Sequence, residues 1–188
     1  MAPSSLRKAF LLALPLLAAA LANKALGDAA WQPFTAGDAS FRVDMPGSPE
    51  VDTRERWFPA SRFVSTVYKV RRGADAFGVN HTDLPGAVLF VTSNRYILKS
   101  ARDGFLESSR ATEISFTKSE LDGHPAQELI YNIPAYDNNP AQRGTAKLLF
   151  VGKRLFIFYT EMNVSADPKQ TVEEVQRFFL SVELPPEN

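Results

Sequence analysis

The sequence predicts an α+β domain in which a single antiparallel sheet of about six to eight strands carries two amphipathic helices over one face. Three observations lead there. Arg143 to Thr160, RGTAKLLFVGKRLFIFYT, holds two apolar runs separated by Gly152 and Lys153, the pattern of a tight antiparallel hairpin at the centre of a sheet. Thr112 to Leu121 and His124 to Ile133 flank Asp122-Gly123, the strongest short hairpin signal in the chain. Helical spacing of apolar residues occurs near Asn94 and again after Asp167.

The two-residue loop of the central hairpin sets Phe150 opposite Leu155, Leu148 opposite Ile157 and Ala146 opposite Tyr159 on one side. The other side pairs Val151 with Arg154 and Lys147 with Phe158, so one face reads as apolar and the other as mixed. The same counting in the Asp122-Gly123 hairpin pairs Phe116 with Leu129 and Ile114 with Tyr131. Upstream, Asn23 to Ala39 reads as an extended lead-in whose Trp31 and Phe34 dock on the domain. Phe41 to Met45 alternates as a half-buried strand stopped by Pro46-Gly47. Val51 to Phe58 reads as a charged edge strand, Phe63 to Arg72 as a stronger one, and Gly73 to Asp75 turns the chain into Ala76 to Leu84. Gly86 to Thr92 is apolar and fits either a short strand or a segment laid over the core. Ser93 or Asn94 then caps a helix with Ile97, Leu98, Ala101 and Phe105 on one side. The last helix opens at Asp167-Pro168, with Gln170 at its third position, and presents Val172, Val175, Phe178 and Phe179.

The first residues carry Arg7 and Lys8, an apolar run from Ala9 to Ala22 broken by Pro15, and Ala20-Leu21-Ala22. This is a secretory signal pattern, 1–22, with Ala25-Leu26-Gly27 as a second cleavage point. Its apolar run falls short of the ~20 residues a spanning helix needs, so no stable membrane span is expected after cleavage. Loss of Arg7 and Lys8 leaves 19 basic residues against 21 acidic ones, a net of −2, which does not suit nucleic acid. There is no Cys, hence no disulfide and no cysteine-linked lipid. A mature chain of ~150 residues buries roughly 70% of its unfolded surface, enough for one domain, expected over 40–185. Location is expected to be periplasmic or secreted.

Candidate chemistry is sparse. His81 shares a strand face with Asp83, a pair that can hold a metal or relay a proton, but spacing supplies no third ligand. We read it as a partly buried imidazole hydrogen-bonded to Asp83 or to backbone. His124 follows a tight turn and reads as turn packing. No Ser sits in a Gly-x-Ser-x-Gly elbow, and the glycines mark turns rather than phosphate loops, so no cofactor is expected. Arg54, Arg56, Arg62, Lys69, Arg71 and Arg72 gather positive charge in the first hairpins, either a patch for an anionic partner or ordinary edge protection. The loop Pro134 to Arg143 puts Tyr136, Asp137, Asn138, Asn139 and Arg143 between two rigid strands. That is a place for recognition, or simply a solvated, mobile loop. Two Asn-x-Ser/Thr motifs, at Asn80 and Asn163, are read as coincidental.

Several segments in order carry a family resemblance: Phe41-Arg42-Val43-Asp44-Met45-Pro46-Gly47-Ser48-Pro49, Ser100 to Gly104, Leu121 to Glu128, Gly152 to Phe156, and Phe178 to Val182. Together they resemble exported bacterial members of the PsbP-like superfamily, over roughly Phe41 to Leu184. The sequence departs from that pattern at Pro125-Ala126-Gln127-Glu128. The resemblance implies an antiparallel sheet flanked by helices, used as a binding or assembly module without catalysis, and carries over no metal role. The expectation is an exported, non-catalytic accessory module with an unknown protein or small-molecule partner in the cell envelope. The alternative is a hydrolytic or metal-dependent enzyme using His81, Asp83, His124 and Glu128.

Overall fold

Ten residues that are nearly all buried, RLFIFYTEMN, form the middle strand of the sheet, and the chain is arranged to cover them on both sides. The computed structural model describes residues 30–58 and 61–186; the expected leader, 1–22, lies outside them. The main sheet has seven antiparallel strands in the order β3 (Glu50–Phe58), β4 (Ser61–Arg72), β5 (Asp75–Asp83), β9 (Arg154–Asn163), β8 (Gln142–Val151), β7 (His124–Ile133) and β6 (Thr112–Leu121). A separate two-stranded sheet pairs β1 (Gln32–Thr35) with β2 (Arg42–Met45). Three helices complete the described residues: α1 (Gly86–Val91), α2 (Asn94–Ser109) and α3 (Pro168–Leu180).

The register of β8 and β9 follows the two-residue loop, with Val151 opposite Arg154, Phe150 opposite Leu155 and Ala146 opposite Tyr159. The hairpin of β6 and β7 starts as expected, with Phe116 opposite Leu129, but a bulge between Glu113 and Ser115 shifts the pairing. Glu113 therefore stands opposite Tyr131, and Ile114 turns to solvent at 45% exposure. Gly86–Val91 resolves as a short helix rather than a strand, with Val88 and Leu89 packed near Ile97, Leu84 and Leu155. Within the expected lead-in, Gln32–Thr35 becomes a strand, and Trp31 packs edge-on against Phe77 at 5.2 Å.

One expectation is corrected: the two long helices cover opposite faces. Phe156, Phe158, Leu149, Phe77 and Val79 meet Phe41, Val43 and Met45 of the β1–β2 ribbon and Phe178 of α3. On the other face Ile157, Tyr159, Leu148, Leu129 and Tyr131 meet Leu98, Ala101 and Phe105 of α2. The reason is β9 itself, in which Leu155 through Tyr159 are all buried, so neither side can be left to water. Ser93 caps α2 by accepting from the Tyr96 N–H at 3.3 Å, and Asp167 caps α3 by accepting from the Lys169 N–H at 2.9 Å.

Two large rings on the α2 face need bare backbone beside them. Gly78 stands opposite Tyr159 and Gly144 opposite Tyr131, and each tyrosine ring lies across its glycine. A Cβ at Gly144 would sit 2.1 Å from the Tyr131 ring, and one at Gly78 2.4 Å from that of Tyr159. Gly144→Ala is expected to cost about 1–3 kcal/mol through overpacking, read as a lower urea midpoint with an unchanged slope. Gly37→Ala, where nothing lies within 4 Å, serves as the neutral control. Equal midpoints for the two variants would remove the packing account.

Candidate functional site

On its face of the sheet α2 packs over β7 and β8. Beyond its C-terminal end, the surface of β4 and β5 opens into a cleft of about 380 Å³. Strand alternation supplies the floor: Val67, Lys69 and Arg71 of β4 turn this way while Tyr68 and Val70 enter the opposite core. Phe105 and Arg110 line it from the end of α2, and Tyr136 and Asn139 from the loop after β7.

The electrostatics of the floor turn on Glu161, a carboxylate only 6% exposed on the central strand. Lys69 Nζ lies 3.0 Å from Glu161 Oε2 and over the Tyr159 ring at 5.4 Å from its centroid. A carboxylate so placed requires a partner, and Lys69 provides it. Burial, with Glu161 close by, pushes the Tyr131 and Tyr159 hydroxyls well above the usual tyrosine value, so both remain neutral donors. The Tyr131 hydroxyl donates to the Thr160 carbonyl at 3.4 Å.

The rim is built more tightly than loop composition suggests. Arg110 ends α2 in the left-handed conformation, φ 55°, a position usually given to Gly or Asn. Its guanidinium lies 4.0 Å from the centroid of the Tyr136 ring. Tyr136 and Asn139 exchange backbone hydrogen bonds of 3.1 and 3.0 Å around a turn in which Asp137 takes φ 52°. At the base, Gln142 Nε2 donates to the Ala74 carbonyl, and the Val164 N–H donates to the Ala141 carbonyl at 3.2 Å.

The structure thus joins two stretches that are far apart in sequence: Tyr136 from the loop, and Lys69 and Arg71 from the basic hairpin, line one cleft. Asp137 is exposed at the turn tip. Arg143, opposite Met162 in the register, belongs to the face of α3 and not to the cleft. Arg56 pairs with Phe63 through backbone, and its side chain is outside the described set. Arg72 is engaged on the other face with Asp75 and Glu174, and Arg54 with Asp52. Arg71 forms no ion pair or hydrogen bond among the described residues. Sequence reasoning missed Arg110 and Glu161. The second had a signal, a charge inside the apolar run of the central strand; the first had none.

The enzyme candidates do not converge. His81 and His124 share a face but are separated by β9 and β8, about 14 Å across three strand spacings. Asp83 is held by Arg154, with Nη2 to Oδ2 at 2.9 Å, rather than by His81. Arg154 also bonds Asp38. Burial alone would raise Asp38, but hydrogen bonds from Ser40 and Arg154 outweigh it and bring the carboxyl down to about 2. Glu128 stands opposite Lys147 on β8. Among the described residues no three His, Asp or Glu side chains gather as a metal set.

His81 is 6% exposed and sandwiched between Phe156 and Tyr68, each ring centroid 5.8 Å away. Neither ring nitrogen meets a hydrogen-bond partner among the described residues, which corrects the expected bond to Asp83 or backbone. Burial lowers its pKa and Arg154 lowers it further, while Asp38 and Asp83 pull the other way.

No protein-family model and no curated protein matches the chain. Among solved structures the fold is similar to cyanobacterial PsbP (CyanoP) from Synechocystis, with a TM-score of 0.54 and 15% identity over 84% of this chain and 94% of that one. A Pseudomonas aeruginosa protein of unknown function overlaps at a TM-score of 0.42 and 10% identity, covering 83% of this chain and 98% of that one. The α+β fold is therefore PsbP-like, and at such identity the likeness describes architecture alone.

His81 yields a pH test. Because its folded pKa lies below the ordinary 6.5, stability is complete above that value. It is lost as the pH falls through 6.5 toward the folded value, since the unfolded chain then takes up a proton that the folded one refuses. His81→Phe is expected to be at least as stable at pH 7.5 and to flatten the loss of urea midpoint between pH 7.5 and 5, relative to wild type. The same slope in variant and wild type would assign the acid sensitivity elsewhere.

Proposed function

We propose that this chain is an exported, non-catalytic binding module whose recognition site is the cleft at the end of α2. The observation that carries the reading is the meeting of Lys69, Arg71, Arg110 and Tyr136, from three separated stretches, around a recess held by fixed backbone. Recognition residues on loops braced by a rigid sheet are the common arrangement of binding sites, and arginine and tyrosine are prominent at energetic centres of interfaces. The partner is a protein or small molecule of the cell envelope. Export is supported by Arg7, Lys8, the apolar run to Ala22 and Ala20-Leu21-Ala22. No helix among the described residues is long and apolar enough to cross a membrane. The exported bacterial branch of the PsbP-like superfamily is the best home for such a chain, on its turn motifs and its fold.

Two measurements follow. Protein recovered from a periplasmic or culture fraction is expected to have the mass of a chain starting just after Ala22 or Gly27; full-length mass in the cytoplasm would sink the export reading. In pull-downs from the native envelope fraction, Arg71→Gln with Tyr136→Ala is expected to reduce recovery of a specific partner about ten-fold or more, while Arg143→Ala on the opposite face leaves it unchanged. Unchanged recovery by the folded double variant would exclude the cleft.

A further inference from the structure

This inference rests on the cleft being the recognition site and concerns the chemistry of its occupant. The floor and rim hold three cations, Lys69, Arg71 and Arg110, against the single carboxylate of Glu161. That carboxylate is committed to Lys69 at 3.0 Å. Two guanidinium groups remain, and among the described residues neither is matched by an acid. Arg110 holds its guanidinium carbon 4.0 Å from the Tyr136 ring centroid, a cation–π contact that uses none of its N–H donors and leaves them for an anion. Between the cations the lining mixes an apolar part, Val67, Phe105, Ile133 and the ring of Tyr159, with the polar side chains of Asn80, Ser108, Ser109, Asn139 and Gln142. The volume, about 380 Å³, lies at the small end of small-molecule clefts. It suits one or two rings rather than a folded partner's surface.

We propose that the cleft binds a small organic anion, a carboxylate or phosphate carried on a flat apolar body, with the charged end at Arg71 and Arg110 and the apolar body along Phe105, Ile133 and Tyr136. Charge alone does not define this ligand, because an inorganic ion would leave the apolar lining in contact with water. Apolar character alone does not either, because a neutral ring would leave both guanidinium groups without the neutralisation that an anion supplies.

The test is an NMR titration of the ¹⁵N-labelled mature protein with 2-naphthoate, 2-naphthyl phosphate, neutral 2-naphthamide and inorganic phosphate, following backbone amides and arginine Nε–H signals. Saturable shifts centred on Arg71, Arg110 and Tyr136 are expected with the naphthyl anions, with at least about ten-fold weaker binding of naphthamide and of inorganic phosphate. Whichever naphthyl anion binds more tightly assigns carboxylate or phosphate. Arg71→Gln is expected to weaken the tighter anion about ten-fold, and Arg143→Gln not at all. The comparison of naphthoate with naphthamide needs no variant, so misfolding cannot obscure it. Equal binding of naphthamide, inorganic phosphate as tight as its naphthyl ester, shifts scattered over the surface, or no saturation would each overturn the proposal. If partner recovery still depends on Arg71 and Tyr136 in that event, the binding-module reading stands without this ligand class.

Discussion

The structure depends on burying both faces of one strand. Leu155, Phe156, Ile157, Phe158 and Tyr159 follow one another along β9, and all are buried. Side chains alternate across a sheet, so this run presents two large apolar surfaces instead of one, and a single cover would leave half of them wet. The chain answers with two covers of different kinds. The β1–β2 ribbon and α3 close over Phe156 and Phe158, where Phe41 meets both rings edge-on at centroid distances of 6.1 and 5.6 Å. On the other face α2 lies over Ile157 and Tyr159, with Phe105 edge-on to Tyr159 at 5.4 Å.

The cleft is a consequence of how far the second cover reaches. α2 packs on β7 and β8 and stops at Ser109, and β4 beyond it carries Lys69 and Arg71 where apolar residues would otherwise be required. Those side chains suit a surface that stays in contact with water: Arg71 is exposed, and Lys69 lies along the sheet with its ammonium on Glu161. Gly78 belongs to the same device: without a Cβ it lets the Tyr159 ring lie over β5 and pave the floor between Glu161 and the apolar core.

Ion pairs hold the covers at points where hydrophobic packing has no direction. Arg154 at the start of β9 joins Asp83 of the next strand to Asp38 in the turn between β1 and β2, so one guanidinium ties the ribbon to the sheet. Arg72 does the same for α3 through Glu174. These pairs lie near the edges of the buried surfaces, where solvent weakens each of them, and their value is in setting orientation rather than in supplying the bulk of the stability. His81, buried beneath the ribbon, lacks a hydrogen-bond partner at either ring nitrogen among the described residues, as do the hydroxyls of Ser40 and Thr160.

The sequence by itself determined the local elements. Period-two runs, turn residues and helix caps are short-range signals, which is why the strands from β2 onward, the β8–β9 register and the caps at Ser93 and Asp167 were legible, whereas β1, inside the lead-in, was not. The bulge at Ile114 was not, because an extra residue in a strand leaves the apolar pattern almost intact while shifting everything past it. The sidedness of the helices was legible in principle from the unbroken apolar run of β9, but Lys147 on β8 and Arg154 at the start of β9, both on the face that reads as mixed, pointed the other way. Tertiary structure alone decided the cleft. Lys69, Arg110 and Tyr136 come from segments about 25 to 65 residues apart, and their meeting depends on which strands neighbour each other and where α2 ends, quantities set by global packing and invisible to any local period.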